Sequence, residues 1–188
     1  MKEPLLEPVL RKLRIRRVLP TLRRYPDCCL LDVGCGRNHL LLDSVAPFVA
    51  RGVGIDYKVP EMEFGKIKTI RLMLADVLPF PAESFDVVTM LAVLEHLAAP
   101  VVLLKEIQRI LKKEGRLVLT VPGKAARPVL EFLAYRLKII SAGEIREHKK
   151  YYDRAELEEL FSQCGMVIER HEYFQFGMNN FCIVKKMP

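Results

Sequence analysis

Leu30-Leu31-Asp32-Val33-Gly34-Cys35-Gly36-Arg37-Asn38-His39-Leu40-Leu41-Leu42 is the stretch that decides the fold of this chain. An apolar run breaks into two closely spaced glycines and resumes with helical periodicity, which predicts a strand, a tight turn and a helix over about 37–49. Glycines let a backbone approach a ligand, and the first helical turn offers unpaired N–H groups at a positive dipole end. The stretch therefore predicts a site for a nucleotide-like ligand.

Further strands are predicted downstream, and two of them lead into an acid. Residues 52–56 form the second strand, which ends in Asp56, and residues 68–74 form the third, which leads to Asp76 and Val77. The fourth and fifth strands cover 84–91 and 116–121, and 166–174 and 181–186 form a closing hairpin. An acid after the second strand is placed to accept hydrogen bonds from both hydroxyls of a ribose.

These segments carry, in order, the motifs LLDVGCG, GIDY, ADVLPFPAESFDVV, LEHL and LKEIQRILKKEGRLVLTVP. Over about 28–186 the set resembles class I S-adenosylmethionine-dependent methyltransferases, most closely the ubiquinone/menaquinone-biosynthesis-like (methyltransferase type 11) small-molecule group. The resemblance implies a doubly wound, Rossmann-like α/β fold whose seven-stranded, mostly parallel sheet has an antiparallel C-terminal hairpin strand. It also implies in-line transfer of a methyl group from S-adenosylmethionine to a small-molecule, lipid-like or glycan acceptor, which leaves S-adenosylhomocysteine.

The resemblance assigns cofactor contacts residue by residue. Asp32 would hold the methionine ammonium, Asp56 the ribose, and Asp76 the adenine amino group, with the Val77 backbone N–H beside it. The structural alternatives are a helix cap for Asp32, a loop cap for Asp76 and a solvated acid for Asp56. The remaining contacts implied are Gly34, Cys35, Gly36, Tyr57 and Leu91.

One position departs from the family's DxGxGxG pattern, because Asn38 stands where the third glycine is expected. If that position needs a positive φ, asparagine tolerates it better than other non-glycine residues. Residues 57–66 are also too rich in helix breakers for a long crossover helix. Both features keep a rival open, in which the chain is a non-catalytic module that binds a cofactor or a partner.

Catalytic candidates lie after the fourth strand and in residues 122–152, which leave the strand–helix repeat and include a helical segment over about 127–140. A segment at the carboxyl ends of the strands is placed to cap an acceptor. His148 is a candidate general base, with a structural histidine as the alternative. No Asp/Asn-Pro-Pro-aromatic or Pro-Cys motif follows the fourth strand, which argues against an exocyclic-amine or a base-C5 methyltransferase. No Cys, His and carboxylate cluster has metal-ligand spacing, so no metal is predicted. The predicted catalytic residues are His148, Tyr151 and His96, with Glu95 and Tyr152 nearby.

The composition of the chain indicates the cellular compartment and the distribution of charge. The chain has 188 residues and five cysteines without a CxxC pair, and it shows no signal peptide or apolar run near 18 residues, which predicts a reduced, cytoplasmic protein. Residues 1–25 carry eight cations and two acids, which places +6 of the net +7 there. The nearly neutral remainder argues against a nucleic-acid partner.

Residues 1–25 are predicted to form a basic N-terminal helix that precedes a methyltransferase domain over 26–188, with a capping insertion at about 122–152. Leu6, Val9, Leu10 and Leu13 have helical spacing, which indicates a basic amphipathic helix that ends near Pro20. Three roles remain open for it: packing beside the acceptor mouth, peripheral contact with a membrane or lipid, or an electrostatic arm of an RNA methyltransferase. The oligomeric state is not predicted.

Overall fold

A computed structural model describes residues 6–74, 77–136 and 140–187. Its strands are β1 (Cys29–Val33), β2 (Arg51–Asp56), β3 (Met62–Phe64), β4 (Ile67–Arg71), β5 (Phe85–Leu91), β6 (Leu111–Pro122), β7 (Met166–Phe174) and β8 (Asn179–Lys186). Its helices are α1 (Glu7–Leu22), α2 (Leu40–Val45), α3 (Pro100–Ile110), α4 (Ala126–Tyr135), α5 (Ala142–Glu147) and α6 (Arg154–Ser162), and Leu94–His96 forms a 3-10 turn.

The strands form one eight-stranded sheet in the order β3-β4-β2-β1-β5-β6-β8-β7. Strands β4, β2, β1, β5 and β6 are parallel, whereas β8 pairs with β6 and β7 in antiparallel register. From β1 the chain first builds outward through β2 and β4, then returns to the other side of β1 to form β5 and β6. The carboxyl end of β1 is therefore a topological switch point, where open α/β sheets bind their ligands.

The fold class predicted from the sequence is confirmed, with one strand added. The seven predicted strands are all present, and β3 extends the sheet as a short antiparallel partner of β4. A helix cannot form there because Pro60 and Gly65 flank the segment, and Gly65 adopts a φ of +57° in the tight turn between β3 and β4. Lys68 and Glu63 form a cross-strand ion pair at 2.9 Å in this ribbon.

The helix after the glycine turn is shorter than predicted, since α2 covers Leu40–Val45 only. His39 adopts a left-handed conformation with φ of +37°, which the interior of a right-handed helix cannot accommodate. Asn38 itself is not in the left-handed region. The backbone therefore does not require a glycine at Asn38, and the non-glycine residue in the unusual conformation is its neighbour.

The N-terminal helix ends close to the predicted position, but two residues of its predicted apolar stripe are exposed. Helix α1 continues past Pro20 to Leu22, because burial of Leu22 in the core outweighs the one hydrogen bond that the proline cannot donate. Val9 and Leu13, predicted to lie on the apolar stripe, are 48% and 42% exposed. The residues of α1 that are buried are Ile15, Val18, Thr21 and Leu22.

The sheet is covered by helices on both faces. Helices α3 and α6 pack on one face through Leu104, Ile107 and Phe161. Helices α1 and α2 pack on the other face through Val18, Leu42 and their neighbours. Arg17 anchors α1 further, with its guanidinium 4.0 Å from the centre of the Phe181 ring and an ion pair to Glu172. Helix α1 is therefore part of the packed body.

A third apolar cluster joins the N-terminal end of α1 to the segment between β6 and α6. The helix predicted over 127–140 is shorter, since α4 ends at Tyr135, and the further helix α5 starts at Ala142, beyond the predicted range. Nothing tests the division of the chain into 1–25, 26–188 and a cap at 122–152, which stays a prediction. In the ranges described, no helix combines the length and the apolarity needed to cross a membrane. The third cluster consists of Ala134, Ile140 and Ile145, packed against Leu6, Leu10, Leu130 and Leu133.

Candidate functional site

A cavity of about 480 Å³ lies at the carboxyl ends of β1, β2 and β5, and we call it the glycine-turn cavity. Its volume falls in the range of small-molecule sites, about 300–1,000 Å³. Helix α1 closes one side of it with Arg11, Arg14 and Ile15. The structure thus brings most predicted cofactor residues to one cavity, namely Asp32, Gly34, Cys35, Gly36, Asp56, Tyr57 and Leu91, together with the predicted catalytic residue His96.

Glycine is needed at the two positions of the turn for different structural reasons. Gly34 has a φ of +74°, and its N–H donates to the Ile55 carbonyl at 2.8 Å, which fixes the turn against β2. A Cβ on Gly34 would lie 2.3 Å from Cγ2 of Val93, so no side chain fits there. Gly36 has a φ of +68°, and a Cβ there would meet nothing within 4 Å, since this glycine faces the open cavity. Gly34 closes the packing and Gly36 exposes backbone to a ligand.

Asp32 is a buried carboxyl group on the floor of this cavity, with 3% of its surface exposed. Thr89, its register partner on β5, donates a hydrogen bond from Oγ1 to Oδ1 at 2.6 Å. Burial raises the pKa of Asp32 to about 7, with the Thr89 bond opposing the rise and the nearby Asp56 adding to it. A buried carboxylate without a cation beside it is costly, which is the state expected of a group that awaits a cationic ligand.

Asp56 ends β2 at the rim of the same cavity. Its Oδ2 accepts a hydrogen bond from the Gly36 N–H at 3.0 Å, and its Oδ1 accepts one from the Lys58 N–H at 2.7 Å. A carboxylate has about four acceptor positions, so these two bonds hold the group in place and leave acceptor capacity for two hydroxyls. Tyr57 beside it is 48% exposed, with Nζ of Lys58 4.7 Å from its ring centre.

The other predicted cofactor residues are placed as follows. Cys35 turns toward β2, where Gly54 leaves room for it: a Cβ on Gly54 would lie 2.9 Å from the Cys35 sulfur. Burial raises the pKa of the Cys35 thiol, which keeps it protonated. The Val77 side chain is 68% exposed and is not part of the cavity wall, and Asp76 lies outside the described residues. Their assignments to adenine stay predictions.

A second, smaller cavity of about 120 Å³ adjoins the first, and we call it the apolar cavity. Helices α4 and α5 form one side of its wall, with aliphatic residues that include Leu130, Leu133 and Ile145. The two cavities share the wall residues Glu7, Arg14, Ala92 and His96. A molecule in the apolar cavity would therefore lie next to one in the glycine-turn cavity.

The three predicted catalytic residues lie together beside the apolar cavity. The ring centres of His96 and His148 are 4.8 Å apart, and Nδ1 of His148 lies 3.1 Å from Oη of Tyr151. Burial, together with electrostatic repulsion from the neighbouring His96 and Arg14, lowers the pKa of His148 to about 4. Burial also raises the pKa of Tyr151. Near pH 7 the His148 imidazole is neutral and the Tyr151 phenol is protonated.

The structure also brings together side chains that sequence reasoning treated separately or missed. Glu95, which is 1% exposed, offers a carboxylate oxygen within 4.8 Å of nitrogens of His96 and His148. The prediction of no metal was based on the spacing of residues along the chain. Such spacing does not reveal a ligand that comes from a distant segment. Thr89 was missed, although a threonine within the apolar fourth strand was a signal. Arg14 was counted only as one cation of a basic helix.

Comparisons with known proteins agree with this geometry. At 27% identity over 159 residues, the chain is similar to a ubiquinone biosynthesis O-methyltransferase of Neisseria meningitidis, covering 76% of this chain and 66% of the relative. It is 32% identical over 114 residues to a tRNA U34 carboxymethyltransferase of Glaesserella parasuis, covering 55% of this chain and 35% of the relative. The chain thus spans less than two thirds of either relative.

Structural similarity leads in the same direction. CalO1, a methyltransferase of calicheamicin biosynthesis solved in its SAH-bound form, superposes with a TM-score of 0.64 at 20% identity, covering 94% of this chain and 55% of CalO1. At this identity the similarity shows the fold. A family model described as a methyltransferase domain matches residues 7–171, which is most of the chain. The chain therefore belongs to the methyltransferase-domain family, with the fold of the class I S-adenosylmethionine-dependent members.

Proposed function

We propose that this protein transfers the methyl group of S-adenosylmethionine to a small, largely apolar acceptor. The observation that carries the proposal is the pair of adjoining cavities, one at the glycine turn and the other walled on one side by aliphatic residues of α4 and α5, which share His96 and Ala92 as wall. Methyl transfer needs two ligands side by side with the nucleophile and the methyl group in line. Two cavities with a common wall meet that need.

The residues of the glycine-turn cavity fit S-adenosylmethionine. Its methionine ammonium is the kind of cation that would stabilise the buried Asp32 carboxylate, and its ribose hydroxyls match the acceptor capacity of Asp56. The open side of Gly36 allows the backbone to approach the ligand closely. S-adenosylmethionine supplies an electrophilic methyl group on a sulfonium.

What the chain contributes to the reaction is mainly position. Asp32 would hold the methionine ammonium and Asp56 the ribose from adjacent parallel strands, with the Gly34 turn between them. Arg11 and Arg14 of α1 line the same cavity, so this helix closes one side of it. An acceptor hydroxyl must lose its proton, and the neutral imidazole of His148 can accept one, although its low pKa makes it a weak base near pH 7.

The apolar cavity favours a lipid-like or quinone-like acceptor over a glycan. Its lining is aliphatic on the side of α4 and α5, which suits an apolar body, while Glu95, His96 and His148 elsewhere on the wall can meet a single polar group such as a hydroxyl. The ubiquinone relative of Neisseria supports the same acceptor class. Contact of residues 1–25 with a lipid surface, which would give such an acceptor a route in, is supported by exposed Val9 and Leu13 beside Lys12 and Arg16 on α1.

The proposal is tested by calorimetric titration of the full chain with S-adenosylmethionine and S-adenosylhomocysteine. We expect micromolar binding by the wild type and a loss of about tenfold or more for Asp56→Ala, since hydrogen bonds to a charged group contribute about 1.5–3 kcal/mol each. Asp43→Ala is the matched control, because Asp43 is an exposed acid outside both cavity walls.

The outcomes separate the rivals. Absence of binding by a folded protein would refute the cofactor assignment, and equal affinity of the wild type and Asp56→Ala would refute the ribose assignment. If binding is confirmed, transfer of a radiolabelled methyl group is measured with a prenylated catechol and with total tRNA. Labelling of tRNA alone would overturn the small-molecule acceptor in favour of an RNA methyltransferase, and labelling of neither would favour the non-catalytic module.

A further inference from the structure

Three metal-binding side chains from two distant segments meet at the wall of the apolar cavity. Glu95 and His96 lie on the 3-10 turn after β5, and His148 follows α5. One potential ligand atom of each lies within 4.8 Å of the others. The arrangement is tied together by the backbone, because the N–H of Lys149 donates to the Glu95 carbonyl at 2.7 Å. The fold therefore holds His148 against the turn that carries the other two.

The donor set is that of a known class of metal site. Two imidazoles and one carboxylate bind Zn²⁺ in catalytic centres, where a fourth position stays open to water or substrate. Nδ1 of His148 is engaged with the Tyr151 hydroxyl at 3.1 Å, which leaves Nε2 as the nitrogen that can coordinate. A second hydrogen bond on the far side of the ring is the usual support of a metal-ligating histidine. Mg²⁺ would instead require a shell of oxygen ligands.

The cluster lies where an open coordination position on a bound ion could receive the acceptor. All three side chains line the apolar cavity, and His96 lines the glycine-turn cavity as well. An ion held by them would lie between the two ligands of the proposed reaction. Two charged residues of α1 on the shared wall have opposite effects on a bound cation, because Arg14 would repel it and Glu7 would attract it.

We propose that Glu95, His96 and His148 bind a divalent transition-metal ion of the Zn²⁺ type, whose open position receives the acceptor oxygen. The inference rests on the proposed function and specifies its acceptor as a molecule with a hydroxyl group. A coordinated hydroxyl loses its proton to solvent more readily, as metal-bound water does, so His148 acts here as a ligand and is not needed as the base. The resulting oxygen forms a bond to the methyl carbon while the methyl–sulfur bond breaks, and the electron pair of that bond returns the sulfonium to a neutral thioether.

The test is a titration of the tag-free, chelator-stripped full chain with Zn²⁺ in competition with a chromophoric chelator. We expect one equivalent to bind with a micromolar or lower dissociation constant, and His148→Ala and Glu95→Gln to weaken it at least tenfold. Co²⁺ in place of Zn²⁺ should give the visible absorption bands of a nitrogen-ligated site. His171→Ala is the matched control, since His171 sits on β7 and bonds Asn180 at 2.8 Å outside both cavity walls.

Three results would overturn the site: no saturable equivalent of Zn²⁺, an equal loss in His171→Ala, or saturable binding of Mg²⁺ alone. Because Glu95 is buried and its variant can fail to fold, His148→Ala decides the matter if circular dichroism shows Glu95→Gln unfolded. S-adenosylhomocysteine affinity is measured on the same samples. Absence of Zn²⁺ binding by the wild type with its nucleoside affinity intact would refute the metal site only, whereas absence of nucleoside binding by the wild type with Zn²⁺ bound would refute the proposed cofactor site.

Discussion

Replacing the buried acid of the glycine-turn cavity should stabilise the ligand-free protein while it abolishes ligand binding. In the folded chain burial raises the pKa of Asp32 from an ordinary 3.8 to about 7. A raised folded-state pKa contributes stability at low pH that is lost as the pH rises through the window between these two values. At pH 8 the ionised Asp32 therefore lowers the free energy of unfolding by about 4 kcal/mol, since each pKa unit corresponds to about 1.36 kcal/mol. Asp32→Asn removes that cost and retains an oxygen to accept the Thr89 hydrogen bond.

The assay is urea unfolding of the wild type and Asp32→Asn at pH 8 and pH 4.5, without ligand. We expect the variant to be more stable by about 2–4 kcal/mol at pH 8 and by about 1 kcal/mol at pH 4.5, where the wild-type carboxyl is protonated in the folded state. S-adenosylhomocysteine, which carries the ammonium, should protect the wild type and leave the variant unchanged.

The control is Asp43→Asn, an exposed aspartate whose replacement should change stability by no more than about 0.5 kcal/mol at either pH. A variant at Asp32 that is less stable than the wild type at pH 8 would refute the reasoning, because it would mean that the carboxylate already has a compensating partner. An equal gain at both pH values would show that shape rather than charge is responsible.

Two further predictions concern the same cavity. The affinity of the wild type for S-adenosylhomocysteine, measured by calorimetry, should fall about tenfold from pH 8 to pH 6 as Asp32 becomes protonated, and an affinity independent of pH over this range would contradict its role as the ammonium partner. Gly34→Ala should lower the free energy of unfolding by about 2–4 kcal/mol, because the new Cβ would lie 2.3 Å from Val93 Cγ2 at a φ of +74°. Urea unfolding checks this, Gly36→Ala with its open surroundings is the control, and an equal loss in both variants would show that the contact with Val93 is not the cause.

The parts of the fold that sequence alone could predict are those encoded by contiguous residues. The run from Leu30 to Gly36 contains its own strand and turn, so β1 and the position of the glycines follow from local rules. The capping box of α6 is likewise local, and both of its bonds are present, between Asp153 and Glu156. The placement of Asp56 beside Gly36 follows in one further step, since parallel neighbours bring their carboxyl ends together.

Features that depend on distant contacts were predicted less well. Of the predicted apolar stripe, Leu6 and Leu10 pack against the third cluster, whereas Val9 and Leu13 are exposed and the fully buried residues of α1 begin at Ile15. The surfaces that cover the helix are formed by residues elsewhere in the chain. Periodicity shows that a helix has an apolar side but cannot show which residues meet the core. Pro20 was treated as a stop on local grounds, and burial of the next two residues overrides that preference. The left-handed conformation of His39 likewise has no local sign in the sequence.

The same contrast separates the two halves of the proposed site. The glycine-turn cavity is formed mainly by the ends of adjacent parallel strands, whose geometry the sheet fixes. The apolar cavity instead joins α1, the turn at Glu95 and the segment of α4 and α5, which meet through the third cluster around Leu130 and Ile145. Because that cluster lies apart from the two main cores on the sheet, its residues can change size and shape at little cost to β1, β2 and β5. We therefore infer that acceptor specificity depends on α1 and on residues 122–152, and that Ala92 and His96, which touch both cavities, couple it to the methyl donor.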